Sequence, residues 1–115
     1  MRYALLVLAV CGCGLDRNID GKVTIDQGVY GQLVQSCDAA DCQDQPATGE
    51  HVVVYAASQS QAYASTDTDG DGFYQIMLPA GNYTLCTYSC TAIAVAGVVR
   101  YDWTSGPGGG KWERR

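Results

Sequence analysis

Between Val29 and Trp103 the chain breaks into seven short runs rich in β-branched and aromatic residues: Val29 to Gln35, His51 to Ala57, Gln61 to Thr66, Phe73 to Leu78, Asn82 to Cys86, Thr91 to Val95 and Val98 to Trp103. Glycine, proline, asparagine and aspartate separate them at the spacing of a β-sandwich, and no 3.6-residue period appears. Short strands of this kind are stable only when one face of each sheet is buried against a second layer. The pattern therefore predicts an all-β, seven-stranded antiparallel β-sandwich over residues 28–105.

Alternation assigns the inner face. In Phe73 to Leu78, Phe73, Gln75 and Met77 share one side and Tyr74, Ile76 and Leu78 the other, which makes the second set the core face. Ala96-Gly97 between two β-branched runs reads as a two-residue hairpin turn, with Gly97 free to take a positive φ. Pro79-Ala80-Gly81 reads as a second turn. Ser36 to Glu50 and Asp67 to Gly72 are the long loops. In the Gly-rich segment 106–115, Gly106 to Gly110 cannot hold a regular element, so it is either a flexible tail or a turn that folds Trp112 back onto the sandwich edge.

A chain of 115 residues supports one such domain. Its 12 carboxylates against 7 basic side chains give a net charge of −5, which leaves no basic surface for nucleic acid. A single histidine, His51, excludes mechanisms that need two imidazoles from one chain.

The N-terminus carries an address. Arg2, the apolar run Tyr3 to Val10 and then Cys11-Gly12-Cys13-Gly14 have the layout of a secretory leader. Eight apolar residues cover about 12 Å as a helix, far short of a bilayer. Val10-Cys11-Gly12-Cys13 resembles the lipobox of bacterial lipoproteins. That resemblance implies a signal peptide over residues 1–12, a lipid on Cys13 and a membrane-anchored location in a bacterial cell envelope, periplasmic or surface-exposed; a soluble secreted protein is the alternative. Residues 13–27 are polar and without period, so they are expected to form a tether, with Lys22 to Ile25 as an edge strand the alternative.

If Cys11 leaves with the leader and Cys13 carries lipid, Cys37, Cys42, Cys86 and Cys90 remain, an even set suited to disulfides in an oxidising compartment. Their spacing does not suit a zinc site. Three pairings are open. Chain entropy favours long loops, about 4 kcal/mol for Cys37 with Cys86 against about 2 for each local bridge. Geometry favours the local ones: a reversal at Thr87-Tyr88-Ser89 brings Cys86 and Cys90 across a hairpin, and Cys37 and Cys42 flank a short acidic loop. The expected pairs are Cys37 with Cys42 and Cys86 with Cys90.

The stretch Thr66-Asp67-Thr68-Asp69-Gly70-Asp71-Gly72-Phe73, followed by a strand and then Leu78-Pro79-Ala80-Gly81-Asn82-Tyr83-Thr84-Leu85, resembles the signature of the carboxypeptidase regulatory-like domain. That resemblance implies a prealbumin-like (transthyretin-like) sandwich and a non-catalytic accessory role.

Chemistry candidates are few. Asp67, Asp69, Asp71 and Gly72 match the first half of an EF-hand loop, but the twelfth position is Leu78 in place of the bidentate Glu, so calcium binding is expected to be weak at best and the plain reading is an acidic turn. A triad would have to gather His51, Asp102 and a serine such as Ser58, and no G-x-S-x-G elbow is present. No other cofactor is implied. Tyr30, Tyr55, Tyr74, Tyr83 and Tyr101 sit at inward strand positions, whereas Tyr63, Tyr88 and Trp112 are candidates for an outward aromatic surface that stacks sugars. The expectation is a non-catalytic envelope lipoprotein, a surface or periplasmic interaction module with a protein or glycan partner; a small hydrolase is the weaker alternative.

Overall fold

The computed structural model describes residues 15–37, 41–57, 59–106 and 109–115. Apart from a single 3-10 turn at Asp20–Lys22, the regular elements among them are strands: β1 (Gly28–Gln35), β2 (Gln45–Pro46), β3 (His51–Ala56), β4 (Ala62–Asp67), β5 (Phe73–Met77), β6 (Gly81–Cys86), β7 (Cys90–Val95), β8 (Val98–Thr104) and β9 (Lys111–Arg114). One sheet runs β2-β1-β8-β9, with β5 also paired to β1; the other runs β4-β3-β6-β7. Val29, Leu33, Tyr74, Ile76, Leu78 and Trp103 from the first sheet meet Val52, Val54, Leu85, Ile93 and Val95 from the second in one core. Each fully buried aliphatic side chain contributes about 2 kcal/mol of transfer free energy. Tyr74, Ile76 and Leu78 form the core face of their run, as alternation requires, while Met77 on the opposite side is exposed.

The class is all-β in two layers, and three details depart from the expectation. Strands number nine among the described residues, because two-residue β2 and four-residue β9 join the seven expected. The sheet is not wholly antiparallel either. Ala96-Gly97 closes no hairpin: β7 and β8 belong to different sheets, and Gly97, with φ of 74°, carries the chain from one layer to the other. Strand β8 then lies parallel to β1, from Gly28 opposite Val98 to Val34 opposite Thr104. Beyond Gly110, β9 folds back antiparallel on β8 and sets Trp112 opposite Trp103, so of the two readings the one that returns Trp112 to the sandwich edge holds.

The third departure concerns residues 15–27. Instead of standing off as a tether or adding an edge strand, they form a strap across the outer face of the first sheet. Ile19 is buried. Gln32 Nε2 donates to the carbonyls of Asp16 (2.7 Å) and Asp71 (2.9 Å). Arg100 donates to Asp20 (3.0 Å) and to the Arg17 carbonyl (3.3 Å), and the Tyr30 hydroxyl donates to Asp20 (2.8 Å). Farther along, Thr24 N donates to the Gln75 side chain (2.9 Å), whose Nε2 donates to the Thr24 hydroxyl (2.8 Å). The outward residues of β8, β1 and β5 thus become hydrogen-bonding sites for the strap. The expected leader and Cys13 lie outside the described residues.

Candidate functional site

At one end of the sandwich the tip of the β6–β7 hairpin lies beside the start of β3. Cys86 and Cys90 stand opposite each other in register and are joined as a disulfide, Cα to Cα 4.1 Å, closing the three-residue tip Thr87-Tyr88-Ser89. Thr87 N donates to Ser89 O (3.0 Å) across the tip, and the Thr87 hydroxyl donates to the His51 carbonyl (2.9 Å). Two indoles hold the far side: Trp103 Nε1 donates to Ser89 Oγ (3.1 Å) and Trp112 Nε1 to Ser89 O (2.7 Å).

This frame displays Tyr88. Its side chain is 66% exposed, yet its ring packs against that of Trp103, centroids 5.3 Å apart and planes tilted by 32°. The Tyr88 hydroxyl donates to Glu50 Oε1 at 2.6 Å. That hydrogen bond, with a smaller contribution from burial, pushes the phenol above its ordinary value, so it stays a neutral donor throughout the physiological range.

Facing Tyr88 are the ends of β1 and β8. Ser36 N donates to Ser105 Oγ (3.1 Å), the Ser36 hydroxyl donates to Ser105 O, and Ser105 N donates to Val34 O (2.9 Å). Between these and the hairpin opens a cavity of about 580 Å³, lined among the described residues by Gly109 and by the side chains of Gln35, Ser36, Ala47, Tyr88, Trp103 and Ser105. Its size suits a small molecule. The lining combines an aromatic face with hydroxyl and amide groups, and those six side chains carry no charge.

The other sequence candidates fall elsewhere. Asp69 and Asp71 both accept from Lys22 Nζ, at 2.5 and 2.7 Å, while Asp67 lies 2.7 Å from His51 Nδ1. The three carboxylates therefore share no centre, and an ammonium stands where the EF-hand reading would put a cation. Among the described residues no group of three His, Cys, Asp or Glu could hold a metal ion. Asp69 Oδ1 also accepts from Asp71 N (2.9 Å) and Phe73 N (3.1 Å), which shapes the turn into β5. Burial pushes its carboxyl up, but the Lys22 ammonium and the two backbone donors outweigh this and hold it below the ordinary value.

Asp102 does not approach His51. It is buried and takes Arg100 (3.0 Å), Arg115 (3.1 Å) and Gln32 N (3.0 Å), while Ser58 lies outside the described residues. Cys37 is joined to Cys42, Cα to Cα 5.9 Å, with Cys37 N donating to Asp44 (2.9 Å). Of the aromatic candidates, Tyr88 lines the cavity, Tyr63 packs on Tyr83 with ring centroids 5.7 Å apart, and Trp112 is partly buried against the core. Trp103, Gln35, Ser36 and Ser105 were not singled out by sequence reasoning. The hairpin reversal that aims Tyr88 was the only available signal. The chain matches no known family model, no curated protein and no solved structure.

Proposed function

We propose that this chain is a non-catalytic binding module of a bacterial cell envelope, lipid-anchored through Cys13, whose groove at the hairpin end takes a carbohydrate. One observation carries the reading: Tyr88 is an exposed ring held against Trp103 over a cavity edged by Gln35, Ser36 and Ser105, and the described side chains that line it carry no charge. Pyranose rings offer apolar C–H faces to aromatic planes and hydroxyls to amides and serines, which is the chemistry this lining presents. Preorganisation by the disulfide and the two indole bonds lowers the entropic cost of binding. The accessory role implied by the carboxypeptidase regulatory-like resemblance is consistent with this reading.

Calorimetry against soluble cell-wall and capsular oligosaccharides tests the groove. The expected result is binding that Tyr88→Ala weakens at least about tenfold, the equivalent of about 1.4 kcal/mol; equal affinity of the two proteins, or no binding to any saccharide, would end the carbohydrate reading. Cell fractionation tests the anchor: Cys13→Ser is expected to move the protein from the membrane pellet to the soluble fraction, and retention in the pellet would end that part.

A further inference from the structure

The five edge strands of the two sheets, β2, β4, β5, β7 and β9, are not alike. Edge strands normally carry devices that stop them from pairing with another chain: brevity, proline, charge, a bulge or a covering segment. Here β2 is two residues long and contains Pro46. Strand β9 carries Lys111, Glu113 and Arg114. Strand β4 ends on Asp67 and has a register irregularity against β3 at Val54/Tyr55. Strand β5 is crossed by the strap at Gln75.

Among the described residues strand β7 has none of these. Among the described residues it pairs only with β6. No charged side chain occurs from Gly72 through Val99, so β6, β7 and their hairpin are free of the repulsion that a chain of net charge −5 would otherwise bring to a self-contact. Within β7, Ile93 and Val95 face the core, while Ala92 and Ala94 are exposed.

The run Thr91-Ala92-Ile93-Ala94-Val95 also reads nearly the same in both directions. An antiparallel partner centred on Ile93 sets Ala92 opposite Ala94, Thr91 opposite Val95 and Ile93 opposite itself. Side-chain parity is then preserved, so each core face continues into the partner's core face and each alanine row into an alanine row. A twofold axis needs this kind of self-complementary surface.

We infer that β7 is a self-association edge: two copies pair antiparallel through Thr91 to Val95 and join their four-stranded sheets into one of eight. The hairpin tips point to opposite ends of such a dimer, leaving both Tyr88 grooves open. This inference does not depend on what the groove binds.

Sedimentation equilibrium of the full chain over about 10 to about 500 µM is expected to show a monomer–dimer equilibrium of micromolar strength. Ala92→Lys combined with Ala94→Lys sets like charges across both alanine pairs and is expected to weaken dimerisation at least about tenfold. Ala92→Glu combined with Ala94→Lys sets opposite charges in the same register and is expected to keep the dimer. Amide exchange of the unaltered protein supplies a readout that needs no variant: residues 91–95 should exchange more slowly as concentration rises. A monomer throughout the range, or a dimer that both double variants leave equally strong, overturns the inference.

Discussion

Arg100 ties three segments together. Its guanidinium donates to Asp102 on the same strand (3.0 Å) and to Asp20 (3.0 Å) and the Arg17 carbonyl (3.3 Å) of the strap, and it lies over the Tyr30 ring at 5.9 Å. Burial works against its charge, but the hydrogen bond to Asp102 and the negative charges of Asp102 and Asp20 together outweigh this and raise its pKa. Asp102 is 2% exposed, so removing its main partner leaves a buried carboxylate with Arg115 as its one cation and the Gln32 backbone amide as its other donor. Arg100→Ala is therefore expected to lower stability by about 3 kcal/mol or more in urea unfolding, and more than Arg115→Ala does. Lys22 offers a pH test. Its bonds to Asp69 and Asp71 raise its own pKa, while Asp69 is held below the ordinary carboxylate value. The contribution from Asp69 is complete above its unfolded-state value and fades as pH falls through its lowered one; that from Lys22 is complete below about 10.5 and fades above it. Thermal stability should therefore fall below about pH 4 more steeply in the unaltered protein than in Lys22→Met, as read by circular dichroism. Little of this pattern was legible in the sequence. Ile19 shares its polar stretch with Leu15, Val23 and Ile25, and nothing local marks it as the buried one, while the bonds of Gln32 to Asp16, Lys22 to Asp69 and Arg100 to Asp20 span 16, 47 and 80 residues.

Elements were more legible than their partners. Period-two alternation in Phe73 to Met77 is set by the pleat itself, so its core face follows from local order. The Gly97 turn is different: a positive φ after a β-branched run serves equally for a hairpin and for a crossing between layers, and only the rest of the fold decides. The β6–β7 hairpin belongs with the legible elements, because a three-residue tip between two cysteines leaves few geometries. Its disulfide is expected to act through Tyr88. Cys86→Ser combined with Cys90→Ser should cost about 2 kcal/mol, the value for so short a loop. It should also weaken groove ligands while leaving the bonds from Trp103 and Trp112 to Ser89 in place, detectable as a change in tryptophan fluorescence. The strap is testable as an element too. Ile19→Asp buries a charge beneath it, and the expected result is rapid proteolysis near residues 15–25 with the sandwich core still protected against amide exchange.

For the whole molecule, the parallel β1–β8 pair joins Gly28 to Val98, so the centre of the first sheet cannot assemble until distant parts of the chain meet. Loop closure on that scale precedes any reward from pairing, and refolding is expected on the millisecond-to-second scale in stopped-flow fluorescence. Microsecond folding would mean that pairing is not rate-limiting. The same pair has a mechanical meaning. Tension applied between the start of β1 and the end of β8 runs along both strands in opposite senses, so the hydrogen bonds joining them share the load at once. Strand β9 is a hairpin partner of β8 and would peel away one pair at a time before that load arrives. In a pulling experiment the chain should therefore yield a weak early event at its C-terminal side and then one strong rupture. A domain held at one end and grasped at the other would resist extension because its first and eighth strands run the same way.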